Sequence, residues 1–234
     1  MPAPIVMLAP GVYRIPTLGD FINSFAFVDA DGQVTLVDCG ISRAPARIVA
    51  GLAGIGRTPK DVTRILLTHA HSDHAGGARE MVTRTGTAGV GIHEDDVEYV
   101  LAGHNAPGPQ TTMGRLLARG PVHFDPIEAS EVLVDGQVLD VAGGLRVVHT
   151  PGHTPGHVSL LHEDSGVLIT GDAIFNMASR MAWPLAAVCS SAAQNKQSAH
   201  VLGELDYRVA AFTHGPEIRD NAREQVRGFL RRKG

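Results

Sequence analysis

The chain has 234 residues, of which 44% are hydrophobic and 19% are charged, so it carries ample apolar material for a core. A formal net charge of −4 gives no electrostatic reason to expect a nucleic-acid partner. Two cysteines are too few for a disulfide framework, and no apolar run has the length of a membrane span. Because the N-terminal sequence also lacks the basic start of a signal peptide, we expect a cytoplasmic protein with no membrane partner.

The first hundred residues alternate between strand and helix patterns. The turn residues Asp31 and Gly32 separate two apolar runs at 25–30 and 33–38, which predicts a β-hairpin. Apolar residues at helical spacing predict a helix over 44–55. The other elements predicted in this part are a strand over 12–15, a helix start at 58–61, a strand over 64–67, a helix over 76–84, a strand over 87–92 and a helix over 94–101.

A segment rich in Gly and Pro at 103–126 follows, and we interpret it as an insertion or lid in a single domain that spans 1–234. It includes one helical patch at 112–117. A second group of strands begins at 132–140 with another Asp-Gly turn, and it suggests a second sheet packed on the first with helices outside. The later predictions are strands over 145–149, 158–162, 167–170 and 209–213, and helices over 194–205 and 221–232.

Four potential metal ligands lie in one short run directly after the apolar segment 65–67. His69, His71, Asp73 and His74 place three imidazoles and a carboxylate within six residues. Together these groups suit Zn, Fe, Mn or Co. A polar helix start would explain the carboxylate alone, but not three histidines beside it. The run therefore predicts a metal site at the end of a strand.

Three more candidate ligands share this setting. His153, Asp172 and His214 each follow a predicted strand and stand next to a glycine, which allows close approach of the backbone. Each residue alone could be a turn or cap residue. Their common position at strand exits favours side chains that converge on one edge.

In this order the residues resemble the metallo-β-lactamase-fold hydrolase superfamily. The family pattern is His-x-His-x-Asp-His, then a His, an Asp and a final His, and all seven positions are present here. The resemblance covers essentially the whole chain, from the strand exit at 36–40 to the final His. It implies an α+β fold, a four-layer αββα sandwich in which two mixed β-sheets are flanked by helices.

The resemblance also implies two divalent metal ions, with zinc as the first choice and iron or manganese as alternatives. The implied ligands are His69, His71 and His153 for the first ion, Asp73, His74 and His214 for the second, and Asp172 as a bridge. The two carboxylates Asp73 and Asp172 would also be the catalytic residues. Two ions held this close lower the pKa of a water between them, which gives a hydroxide that attacks a carbonyl carbon.

The implied substrate is a small-molecule ester, thioester or lactone, and two branches of the family stay open. Glyoxalase II-like enzymes, which are hydroxyacylglutathione hydrolases, bind glutathione with a C-terminal helical extension, whereas twenty residues follow His214 here. Several lactonase-like members place Tyr three residues after the bridging Asp, where this chain has Phe175. The segment 173–185 either walls an apolar acyl pocket or fills the core, and Arg180 within it either meets an anionic group or is a surface charge.

Other reaction classes are alternatives. Persulfide dioxygenase-like members keep the same histidine run but use one iron for oxygen chemistry. Phosphodiesterase or β-lactamase-type hydrolysis is weaker, because β-lactamases of this fold carry Cys or Ser in place of the bridging Asp and this acidic chain lacks a basic surface. A homodimer is left open.

The remaining polar candidates are assigned supporting or structural roles. Asp38 resembles a buried Asp near the family's site, and His149 and His157 flank the ligand at 153. The isolated histidines are interpreted as surface or core residues: His93, His104, His123, His162 and His200.

Overall fold

Two β-sheets pack face to face in the computed structural model, which describes residues 5–108 and 123–233. Within these residues the first sheet has seven strands, in sequence order from one edge to the other. They are β1 (Val6–Ala9), β2 (Val12–Pro16), β3 (Asn23–Val28), β4 (Val34–Val37), β5 (Val62–Leu66), β6 (Val90–His93) and β7 (Ala129–Leu133). Strands β1 to β4 pair antiparallel and β4 to β7 pair parallel, so the sheet is mixed.

The second sheet is also mixed. Its strands are β8 (Val138–Leu139), β9 (Leu145–His149), β10 (Val158–His162), β11 (Val167–Ile169) and β14 (Val209–Ala211). Over the same described ranges their order is β14-β11-β10-β9-β8, and only the β11–β14 pair is parallel. A separate hairpin joins β12 (Phe175–Met177) to β13 (Arg180–Ala182).

Helices cover both outer faces. On the first sheet they are α1 (Pro45–Gly54), α2 (Ala78–Thr85) and α3 (Val97–Ala102); on the second they are α4 (Ala192–Ala199) and α5 (Ala222–Lys233). Buried side chains form one cluster under the first group of helices, one between the sheets and one under the second group. These four layers confirm the predicted αββα sandwich.

The alternation of side chains along a strand decides which core each residue enters. In β3, Phe25 and Phe27 lie between the sheets, whereas Ala26 faces the helices of the first layer. In β5, Ile65 faces the helices and Leu66 lies between the sheets. Successive side chains of a strand point to opposite faces, so a sheet buried on both sides needs an unbroken apolar run.

Three sequence predictions of elements need correction, and one hairpin was missed. The helix start at 58–61 is a single 3₁₀ turn, Pro59–Asp61, that runs directly into β5. The run at 132–140 does not open the second sheet, because β7 is the last strand of the first and the chain changes sheet between β7 and β8. The helix predicted over 194–205 ends at Ala199 and continues as a 3₁₀ turn, His200–Gly203. The β12–β13 hairpin was not predicted.

The predicted lid at 103–126 is described only at its two ends. His104 and His123 form an isolated β-bridge, and the helical patch at 112–117 lies outside the described residues. Among the residues that are described, no helix has both the length and the apolar character needed to cross a bilayer.

Candidate metal centre

The seven candidate ligands lie at one edge of the sandwich. In the second sheet β9, β11 and β14 run in the same direction, so their carboxyl ends bring His153, Asp172 and His214 to the same side. The residues at 69–74 follow β5 of the first sheet. A backbone hydrogen bond of 2.9 Å from Val158 N to Thr68 O joins the two sheets at this point. Ligands from both sheets therefore meet.

The first group consists of three buried histidines. One ring nitrogen each of His69, His71 and His153 lies within 4.8 Å of the others, and His71 Nδ1 is 3.0 Å from His153 Nε2. Burial lowers the pKa of His69 well below its usual value and that of His71 to about 3. Neutral rings keep a lone pair on one nitrogen, which is the form of imidazole that binds a metal.

The second group combines two histidines with a carboxylate. Ligand atoms of Asp73, His74 and His214 lie within 4.8 Å of one another. Asp73 Oδ2 is 3.4 Å from His214 Nε2 and 3.7 Å from His74 Nε2. The side chain of Asp73 is 35% exposed, so this group is open to solvent on one side.

Asp172 stands between the two groups. Its Oδ2 lies 3.1 Å from His153 Nε2 and 3.3 Å from His214 Nε2, and its Oδ1 lies 3.4 Å from His74 Nε2. Thr213 Oγ1 donates a 2.6 Å hydrogen bond to Oδ1 and fixes the carboxylate. One buried carboxylate thus reaches a ligand of each group, which is the position that a bridging role requires.

The donor set fits metal cations. In the described part of the chain, Nε2 of His69 and Nε2 of His74 are buried and make no hydrogen bond, although their rings are held at the other nitrogen. A buried polar atom without a partner lowers stability by about 1–3 kcal/mol, and a bound metal ion would remove that penalty. Five imidazoles and two carboxylates are donors that Zn, Fe and Mn accept.

The charges at the second group also favour the binding of a metal cation. Burial is the largest single effect and pulls the pKa of His74 and His214 down, but the neighbouring carboxylates, Asp172 first and then Asp73, together outweigh it. The pKa of His74 is therefore raised, and that of His214 reaches about 10. Protons on these two rings then balance the negative charge of the site. A metal cation would displace them and balance the same charge.

Comparison with known proteins agrees with this geometry. The sequence model described as the Metallo-beta-lactamase superfamily matches residues 18–214, which is most of the chain. The chain belongs to the metallo-beta-lactamase superfamily. Members of this superfamily are metal-dependent hydrolases, and the predicted family is confirmed.

Relatives within the metallo-beta-lactamase superfamily differ in how much of them this chain covers. The probable metallo-hydrolase YybB of Bacillus subtilis (strain 168) is 30% identical over 88% of this chain and 83% of its own length. A hydroxyacylglutathione hydrolase of Rhodospirillum rubrum is 28% identical over 70% of this chain, and an N-acyl homoserine lactonase of a Bacillus species is 33% identical over 55%. The chain matches only 52% and 45% of the lengths of these last two proteins.

A solved structure supports the fold. A metallo-beta-lactamase family protein from Thermus thermophilus has a TM-score of 0.71 with this chain at 28% identity, over 97% of this chain and 80% of its own. The superfamily fold therefore extends over nearly all the described residues.

Asp38 supports two of the candidate ligands, in agreement with the supporting or structural role predicted for it. Its carboxylate accepts hydrogen bonds from Thr68 N (2.8 Å), Thr68 Oγ1 (2.9 Å) and His74 Nδ1 (2.9 Å). Because Thr68 Oγ1 donates its only proton to Asp38, it accepts from His69 Nδ1 at 3.0 Å. Both rings are thus oriented with Nε2 toward the site.

His157 holds the backbone of the proposed bridging residue. Its Nε2 accepts a 2.7 Å hydrogen bond from Asp172 N, so its proton lies on Nδ1, which donates to Thr150 O at 3.0 Å. Gly171 permits this approach, since its φ is +54° and a Cβ there would lie 2.5 Å from His157 Nε2. Of the two roles left open for His157, supporting and structural, these hydrogen bonds favour the supporting one.

Two residues of this site were missed from the sequence. Asp96 is buried and accepts hydrogen bonds from Ala70 N (2.9 Å), Thr154 Oγ1 (2.7 Å) and Gly156 N (2.7 Å), which ties the loop of the first two histidines to that of His153. Cys189 is buried, and its Sγ lies 3.6 Å from His153 Nδ1.

The segment 173–185 divides between the site and the core. The ring of Phe175 packs 4.5 Å from that of His214, and Met177 lines a cavity of about 320 Å³ beside it. Met181 and Trp183 instead pack against the core under α4 and α5. The core-filling alternative therefore applies to Met181 and Trp183, whereas an acyl pocket at Phe175 and Met177 stays a prediction.

Proposed function

We propose that this chain is a dinuclear hydrolase that cleaves a small-molecule ester, thioester or lactone. The position of Asp172 carries the proposal, because its two oxygens lie 3.1–3.4 Å from ligands of both groups. The proposed ligands are His69, His71 and His153 for one ion and Asp73, His74 and His214 for the other, with Asp172 shared. Zinc is our first choice, since imidazole-rich sites with a carboxylate suit it.

The bound ions would supply a water of lowered pKa and would polarise the carbonyl oxygen of the substrate. The chain's own groups would do the rest. Asp73 is far more exposed than Asp172, with 35% of its side chain exposed against 3%, so it can accept a proton from an incoming water and pass that proton to the leaving alkoxide or thiolate. Asp38 and His157 keep the ligands in place during this exchange.

The substrate is expected to carry an apolar part. A cavity of about 320 Å³ lies beside His214 and is lined by Phe21 and Met177 among others. His214 Nδ1 donates a 2.6 Å hydrogen bond to Phe21 O, so this wall is attached directly to the site. An apolar pocket beside a few polar groups is typical of small-molecule binding. The named relatives that act on a hydroxyacylglutathione and on an N-acyl homoserine lactone are compatible with such a substrate.

The segment 103–126 is proposed to shape the entrance. Its described start contacts the ligand loop, since Ala106 N donates to Ala70 O at 3.0 Å and Asn105 Oδ1 accepts from Ser72 N at 2.8 Å. Replacing 109–122 by a short Gly-Ser linker should change substrate preference and leave metal content unchanged. The reverse outcome would refute this role.

The main test is one screen with a metal-quantified sample against lactones, glutathione thioesters, phosphodiesters and β-lactams. We expect two metal ions per chain and turnover of a thioester or lactone.

Asp172→Asn should lower that turnover at least about a hundredfold with loss of metal, because the shared carboxylate is gone. Asp206→Asn, at a fully exposed carboxylate, is the matched control. One iron per chain, with oxygen consumption on glutathione persulfide, would instead make the protein a dioxygenase.

A further inference from the structure

A second cluster of metal-binding side chains lies apart from the seven ligands. One ring nitrogen each of His93 and His149 and one carboxylate oxygen of Asp95 lie within 4.8 Å of one another. We propose that these three residues bind a divalent transition-metal ion of the zinc, nickel or cobalt type. The ion would join the two sheets and stabilise the fold.

The two histidines of this cluster come from different sheets. His93 is the last residue of β6 in the first sheet, and His149 is the last residue of β9 in the second. Their rings stack with centroids 4.0 Å apart and planes inclined by 16°. A shared ligand at this point would connect the ends of two strands that belong to different sheets.

Hydrogen bonds leave a lone pair on each ring. His149 Nε2 lies 2.9 Å from Pro155 O, and a carbonyl can only accept, so the proton of this ring is on Nε2 and its Nδ1 is free. Metal-binding histidines commonly donate their other N–H to a backbone carbonyl in this way. His93 Nδ1 accepts a long 3.3 Å hydrogen bond from Asp95 N, so this nitrogen is also unprotonated, and a bound ion would replace that hydrogen bond.

The distances and exposures allow coordination after small movements. Zn–N and Zn–O bonds of about 2.0–2.2 Å place neighbouring ligand atoms about 3.4 Å apart in a tetrahedral site. His93 Nδ1 and Asp95 Oδ2 are 3.8 Å apart, and the side chain of Asp95 is 52% exposed and can close that difference. A turn of the half-buried His149 ring directs its Nδ1 to the same point, and solvent supplies the fourth ligand.

The surrounding charges favour a cation. The groups that act on His93 are the imidazole of His149 and the carboxylates of Asp95, Glu94 and Asp135. Asp135 also accepts a 2.9 Å hydrogen bond from His149 N, which places it at the same end of β9. Three carboxylates beside two imidazoles are a donor set for a borderline divalent ion rather than for an anion.

The test counts bound metal and measures stability together. Protein saturated at the seven-ligand centre is dialysed against Zn²⁺ or Ni²⁺, and bound metal and the thermal midpoint are measured. We expect one ion more per chain than in Asp95→Asn or His149→Gln, and a midpoint about 5–10 °C higher when free metal is a hundredfold above Kd. The comparison with these variants does not depend on how many ions the centre holds.

The control is His200→Gln, at an exposed histidine at the end of α4, which should keep the additional ion. Asp95 is exposed, so Asp95→Asn should fold normally and have an unchanged midpoint without added metal. Equal metal content in the wild type and in both cluster variants would overturn the proposal, and so would loss of the additional ion in His200→Gln alone.

Discussion

Neighbouring carboxylates in one short run have different tasks. Glu94 and Asp95 are exposed, whereas Asp96 is fully buried and accepts three hydrogen bonds from two ligand loops. Burial alone raises the pKa of Asp96, and the donors oppose that rise. The position of this residue therefore depends on the hydrogen bonds that it accepts.

Asp96→Asn should loosen both loops. An amide keeps one acceptor oxygen but turns an NH₂ group toward a backbone N–H, so one hydrogen bond becomes a repulsive contact. We expect metal affinity to fall about 10–100-fold and the free energy of unfolding to fall by about 1–3 kcal/mol. Competition with a chelator and urea unfolding measure the two effects. Glu94→Gln should change neither.

Two features favour glycine at position 171: a positive φ and the close approach of His157. Comparison with Gly136, which has only the first feature, separates their effects. At Gly171 φ is +54° and a Cβ would lie 2.5 Å from His157 Nε2, whereas at Gly136 φ is +75° and nothing lies within 4 Å. Gly136→Ala should cost about 1 kcal/mol through backbone strain alone. Gly171→Ala should cost about 3 kcal/mol and also lower metal content, because Asp172 is displaced. If urea unfolding gave the same loss of unfolding free energy for both variants, the contact with His157 would be unimportant.

At the scale of elements, replacing Phe by Ala should lower stability in a strand and raise KM in a loop. Phe27 of β3 is fully buried between the sheets, and Phe21 in the loop before β3 is 63% exposed beside the cavity. Phe27→Ala should lower the free energy of unfolding by about 3–5 kcal/mol with little change in KM.

Phe21→Ala should change stability by less than about 0.5 kcal/mol, because the ring is exposed. If the substrate's apolar part contacts this ring, KM should rise about tenfold with kcat nearly unchanged. Urea unfolding and steady-state kinetics on both variants separate the core from the cavity wall. A KM that is unchanged in Phe21→Ala would place the apolar part elsewhere.

The elements that were predicted well have local causes, and those that were missed do not. The helix at 44–55 and the hairpin around Gly32 follow from apolar spacing and turn residues. The β12–β13 hairpin turns through Ala178 and Ser179, both with positive φ, so it lacks the Asn-Gly or Asp-Gly pair that would reveal it. The partner of β7 depends on contacts with β6, which the sequence near 132 does not specify.

The same distinction applies to the site. The seven candidate ligands could be predicted because each has a metal-binding side chain at a strand exit. Asp96 could not, because it looks like its exposed neighbours and only the packed structure shows its burial. The cluster at His93 was also missed, since His149 is 56 residues away in sequence and meets it only when the sheets pack.

At the scale of the whole molecule, the histidines make stability depend on pH in two opposite ways. Burial lowers the pKa of His71 and His157 to about 3, against 6.5 for an ordinary histidine. The unfolded chain then binds more protons between these values, so their contribution is complete above about pH 6.5 and is lost as pH falls. His214, with a pKa of about 10, contributes fully below about pH 6.5 and loses its contribution as pH rises toward 10.

Metal-free protein should therefore unfold more easily as pH falls from about 6.5, by about 1.4 kcal/mol per pH unit for each neutral buried histidine. Urea midpoints of chelator-treated protein between pH 8 and pH 5 measure this slope. His157→Gln removes one of the groups, so its acid slope should be smaller. An identical slope in both proteins would show that His157 does not titrate on unfolding.

The peptide hydrogen bond between Val158 and Thr68 has a consequence for the order of events during biosynthesis. The run at 69–74 leaves the ribosome early, whereas His153, Asp172 and His214 follow only when the second half of the chain is made. A nascent chain with the first sheet alone offers one segment of the proposed ligands and lacks the proposed bridging carboxylate. Firm capture of metal should therefore coincide with the docking of the two sheets, so metal occupancy marks chains that have completed folding.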